Sequence, residues 1–143
     1  MDIGKFHVVL VHFPIALVIA AGLADLLWLI TRRTVFRSAG AYCLVAALVV
    51  TPPAVLTGWY HLEETQWSGP YVDIAEDHED AGLATLGLVA AAAVARLAWH
   101  RWPERWLAVV YGVLILAAVM AVSYTGSLGG ELSFGKDYLS DAL

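Results

Sequence analysis

VVLVHFPIALVIAAGLADLLWLI, Val8–Ile30, is the stretch on which the fold turns. A membrane-crossing helix needs about 20 predominantly apolar residues. This run supplies them, yet it carries His12, Pro14 and Asp25. Ionisable groups inside a span are costly and face the bundle interior. What His12 meets is therefore the functional question. Pro14 removes a backbone hydrogen bond and loosens the turn beside His12. Asp25, near the far end, is expected to form a snorkelling ion pair with Arg32 and Arg33.

The composition extends this reading to the whole chain. Its 143 residues are 60% hydrophobic and 15% charged, with a mean hydropathy of +0.71. A soluble domain carries about a quarter charged residues. The chain reads as one integral membrane domain over 1–143. The first apolar run is too long for a secretory signal and is expected to stay in the mature protein. The single cysteine, Cys43, excludes an internal disulfide and a multi-thiolate metal or iron–sulfur site. No basic stripe or stacking motif points to nucleic acid.

Three further apolar segments follow, giving approximate spans of 7–30, 37–59, 78–99 and 104–124. Pro52–Pro53 should kink the second. Leu62–Asp80 is the long polar link, rich in Asp and Glu. Within it, Asp73 and Glu76 have capping-box spacing and predict a helix start near Ile74. The last span is read as ending near Tyr124, before a glycine-rich exit, TGSLGGELSFGKDYL. All six arginines fall in the first and third links. By the positive-inside rule those links are cytoplasmic, which places both termini outside. The expected architecture is an all-α, up-down four-helix bundle in a bacterial inner membrane.

That topology brings His7, His12, His61 and His78 toward the outer side. Histidines from facing helices are how a bundle holds an internal metal or haem. His12 and His78 are the leading ligand candidates. His7 and His61 are further candidates, for which an ordinary hydrogen-bonded or solvated interfacial role is the alternative. Small residues on the last two helices, including Gly82, Gly129 and Gly130, would leave room for a flat group. Phe6, Trp59, Tyr60, Trp67 and Phe134 would wall it or form an interfacial belt. Lys5 and Lys136, the outer cations, are candidate partners for haem propionates.

VHFPIALVIAAGLADLL, the TGW of the second helix, the His opening the third and TGSLGGEL resemble the bacterial membrane family catalogued as domain of unknown function 2231. The likeness spans nearly the whole chain. It implies a four-helix membrane module with a respiratory or cytochrome-associated context. It carries over His12 as the histidine of VHFP, and Gly129, Gly130 and Glu131 as the GGE motif. Relatives follow GGEL with an aromatic and a His-Gly pair, where this chain has Lys136 and Asp137. The resemblance thus implies a single or altered site.

Three functions are expected from these residues. The first is a membrane-embedded haem b electron-transfer protein with a bis-His site at His12 and His78, rather than a stand-alone enzyme. It would exchange electrons with a quinol or with a basic c-type cytochrome drawn to the acidic outer face. The second is a copper-binding or copper-transport protein using His7, His12, His61 and His78. The third is a cofactor-free accessory subunit of a larger respiratory or photosynthetic complex. Lipid contact is common to all three, and oligomeric state stays open.

Overall fold

The computed structural model describes residues 3–135, with side chains from Phe6 onward, Glu64 excepted. Among the described residues there are five helices and no strand. They are α1 (Ile3–Leu10), α2 (His12–Thr31), α3 (Thr34–Glu64), α4 (Tyr71–Arg101) and α5 (Arg105–Phe134). Helices α1 and α2 together form one span, Phe6–Thr31, and α3 to α5 form three more. The protein is a multi-pass, all-α four-helix membrane bundle.

The break between α1 and α2 falls at Val11, one turn ahead of Pro14, which has no N–H to donate. The flanking Ile15 N–H bonds the Val11 carbonyl at a long 3.4 Å. In α3, helix geometry runs on through Pro52 and Pro53. Helices α3 and α4 have 31 residues each, or about 46 Å of length. That exceeds the roughly 30 Å of hydrocarbon, so the helices extend past the apolar spans read from sequence. Helix α5 likewise continues through the glycine-rich segment to Phe134, which corrects the expected exit at Tyr124. Helix α4 begins at Tyr71 after Pro70, with no side-chain cap. Asp73 therefore lies inside the first turn and is not the cap of a capping box.

Helix α2 packs on α3 and α4 on α5, and the two hairpins close through α3–α4 and α2–α5. A layer of fully buried alanines holds the middle, with one from each span: Ala21, Ala47, Ala92 and Ala118. Small side chains let the backbones approach, and that dispersion contact drives helix association in lipid. Val18, Leu44, Val89 and Ile115 pack around them. Large apolar side chains such as Val45, Val94, Leu97, Leu116 and Met120 point outward, as a lipid-facing surface requires.

Candidate functional site: a histidine cluster at one end of the bundle

The two ends of the bundle differ in chemistry. Arginines occupy one, at the α2–α3 and α4–α5 links. The other carries α1, the α3–α4 link and His7, His12, His61 and His78, while His100 stands with the arginines.

At the histidine end, His7 of α1 lies between His61 of α3 and His78 of α4. The ring centres of His7 and His78 are 6.2 Å apart and nearly perpendicular, at 80°. Those of His7 and His61 are 6.4 Å apart, tilted by 32°. His7 Nδ1 donates to the Ala54 carbonyl at 3.0 Å, with the Thr57 hydroxyl at 3.4 Å. His78 Nδ1 donates to the Thr125 carbonyl at 3.0 Å. A carbonyl only accepts, so each of these imidazoles carries its proton on Nδ1. In the neutral ring the Nε2 lone pair is then free. Metal-binding histidines are oriented in this way, with one nitrogen anchored and the other presented.

Two glycines make room for the rings. A Cβ on Gly58 would stand 2.6 Å from His7 Cε1, and one on Gly129 would stand 3.1 Å from His78 Cε1. Thr125, whose carbonyl anchors His78, also shares a hydroxyl–hydroxyl bond of 3.1 Å with Thr85. Trp67, in the link beyond His61, buries its indole Nε1–H with no acceptor among the described residues.

The structure brings His7, rather than His12, beside His78. His12 is exposed. An α-helix turns 100° per residue, so residues five apart point about 140° away from each other. The buried stripe Pro14, Val18, Ala21, Asp25, continued backward at helical spacing, arrives at His7. That stripe was the available signal. Gly129 abuts His78 as described, and Gly130 lies half-buried in the same helix. Gly82 faces open space, so no close approach requires it. Phe6, Trp59, Tyr60 and Phe134 are exposed on the surface, while Trp67 is half-buried. The side chain of Lys5, and Lys136 altogether, lie outside the described residues. Among the described residues, no group of three or more His, Cys, Asp or Glu side chains converges as a metal site.

The arginine end holds a second buried polar cluster. Asp25 pairs with Arg96 of α4 at 2.6 Å, not with Arg32 and Arg33 as expected. Tyr111 of α5 donates to Asp25 and accepts from Arg96. Arg96 Nη2 also donates to the Arg37 carbonyl of α3 at 2.7 Å. A Cβ on Gly40 would stand 2.6 Å from Asp25 Oδ1. All four spans therefore meet at this cluster.

Fold and site together define a four-span helical membrane protein with an anchored histidine pair at one end and a buried Asp–Arg–Tyr cluster at the other. The chain belongs to the family described as predicted membrane protein (DUF2231), whose profile matches residues 5–138. No curated protein and no solved structure matches it.

Proposed function

We propose that this protein is a membrane-embedded haem b electron-transfer protein whose axial ligands are His7 and His78. The observation that carries the reading is the anchored pair itself. Its two imidazoles come from different helices, each holds Nδ1–H on a backbone carbonyl, and their ring centres are 6.2 Å apart. Metal–nitrogen bonds of about 2 Å on either side of one ion give a similar centre-to-centre spacing. The donor set fits a haem better than a bare ion. A porphyrin supplies four nitrogens of its own and needs only two axial imidazoles, whereas a copper ion would need further converging ligands. His61, 6.4 Å from His7, is the one feature that favours copper.

When bound, the haem would supply one-electron redox chemistry, with its potential set by axial ligands, burial and hydrogen bonding. The protein's part is to fix the tautomer and aim of His7 and His78 through Ala54 and Thr125. Gly58 and Gly129 admit the rings. The orphan Trp67 Nε1–H supports the reading as a donor awaiting an acceptor such as a propionate, since a buried unsatisfied donor is costly. Exposed Glu63, Asp73, Glu76, Asp77 and Asp80 rim this end. A basic c-type cytochrome is the complementary partner, with an attraction that weakens with salt. A quinol is the alternative donor. The arginines put the opposite end in the cytoplasm, so the histidine end and both termini face outward from a bacterial inner membrane.

The test is a reduced-minus-oxidised spectrum of protein purified in detergent after expression with haem supplied. One haem b per chain is expected, lost in His7→Ala and in His78→Ala and kept in His12→Ala. A folded, colourless protein overturns the proposal, and copper bound at one per chain would move the assignment to the metal reading.

A further inference from the structure

At the arginine end, a cavity of about 500 Å³ opens between the start of α3 and the end of α4. That volume is within the range of small-molecule sites. Its lining changes character along the helices. Arg37, Arg96 and His100, with the hydroxyls of Thr34 and Ser38, stand at the end nearest the links. Toward the bilayer centre it is walled by Ala41, Leu44, Val45 and Ala93, while Leu97 stands level with Arg96 on its lipid side. Val45 and Leu97 are largely exposed to the lipid side, so the cavity is open to the bilayer.

The charges are not equivalent. Arg96 is neutralised by Asp25 at 2.6 Å. Arg37 has no carboxylate partner among the described residues. Its guanidinium instead lies over the rings of Trp28 and Trp99, at 5.5 and 5.2 Å from their centres. Those contacts hold the planar group in place while leaving its charge uncompensated. The first turn of α3, which begins at Thr34, has no side-chain cap. Its free N–H groups add positive potential at the same mouth.

A fixed cation and free donors at the membrane edge, above an apolar trough running into the bilayer, match one ligand class. We infer that this cavity is a binding site for an anionic phospholipid. The phosphodiester is held by Arg37 with Thr34 and Ser38, and an acyl chain lies along Leu44, Val45 and Ala93. Basic pockets between transmembrane helices bind anionic headgroups in this manner. The site stands apart from the histidine cluster and does not depend on haem.

Trp99 lines the cavity and reports on its occupant. Detergent-solubilised full-length protein is titrated with brominated phosphatidylglycerol or brominated phosphatidylcholine. The Trp99 contribution is taken as the difference from Trp99→Phe. Phosphatidylglycerol is expected to quench it at about fivefold lower mole fraction, the change one near-surface cation brings. Arg37→Gln removes the preference, Arg37→Lys retains most of it, and Arg101→Gln leaves it intact. Each variant is checked for unchanged helicity by circular dichroism. Equal quenching by the two lipids overturns the proposal, as does a preference that survives Arg37→Gln. Displacement of the lipid preference by inorganic phosphate alone would also overturn it, because the trough would then contribute nothing.

Discussion

His7 and His12 show how much one residue's direction decides. Both are in the first span and both are near the same end of the bundle. One is held by Ala54 against His78 and the other is exposed. The VHFP context drew attention to His12, while the buried stripe of the same helix selects His7. Gly58 carries equal weight, because its missing side chain is the space that His7 occupies. Gly58→Ala is expected to push the imidazole off the Ala54 carbonyl, with an overpacking cost of about 1–3 kcal/mol. The readout is haem retained per chain and the thermal midpoint in detergent. Both should fall, whereas Gly82→Ala, in open space, should leave both unchanged. Full haem occupancy in Gly58→Ala would dissociate the glycine from the site.

Among the elements, the α1–α2 break is the one with a functional consequence. Pro14 leaves the Leu10 carbonyl without its usual partner, and the helical hydrogen-bond pattern is interrupted at Val11 while its backbone stays in the helical region (φ −61°, ψ −25°). His7 lies on the short outer piece, so the break sets its aim relative to His78. Pro14→Ala restores the missing donor. Amide hydrogen exchange across Val11–Ile15 should slow, and the His7-dependent haem signal should weaken or shift as α1 straightens. Unchanged exchange would show that packing against α3, not the proline, maintains the break. Helix α5 carries the opposite lesson. Its glycines suggested an exit loop, but the helix continues to Phe134. Gly129 is used there for close packing against His78, and packing outweighs the low helix propensity of glycine. Tyr71, rather than Ile74, opens α4 for a related reason. Pro70 fits the N-terminal boundary of a helix through its fixed φ, so the acidic spacing further on had no boundary to mark.

The two polar clusters are built on one plan over the whole molecule. Each span carries a pair of residues 18 apart, one touching each cluster: His7 and Asp25, Gly40 and Gly58, His78 and Arg96, Tyr111 and Gly129. Eighteen residues are five helical turns, so both members share a face about 27 Å apart along an ideal helix. That is close to the thickness of the hydrocarbon, and it places one cluster at each membrane edge with the alanine layer between. The Asp–Arg–Tyr cluster joins all four spans, and Asp25 and Arg96 side chains are only 11% and 13% exposed. Removing one partner leaves the other charge buried. Asp25→Asn is thus expected to destabilise the bundle by about 3 kcal/mol, read by denaturation in mixed micelles. Tyr111→Phe should cost less, about 1 kcal/mol. No loss in Asp25→Asn would mean that water reaches Arg96. The sequence by itself determined the membrane class, the four spans, their alternation and the sorting of the arginines to one end and of His7, His12, His61 and His78 to the other. Hydropathy and charge are local properties that survive without knowledge of rotation. Only the tertiary structure decided which histidine faces His78, which arginine meets Asp25 and which glycines admit them. Those depend on the rotation of each helix about its axis, and packing between helices sets that angle.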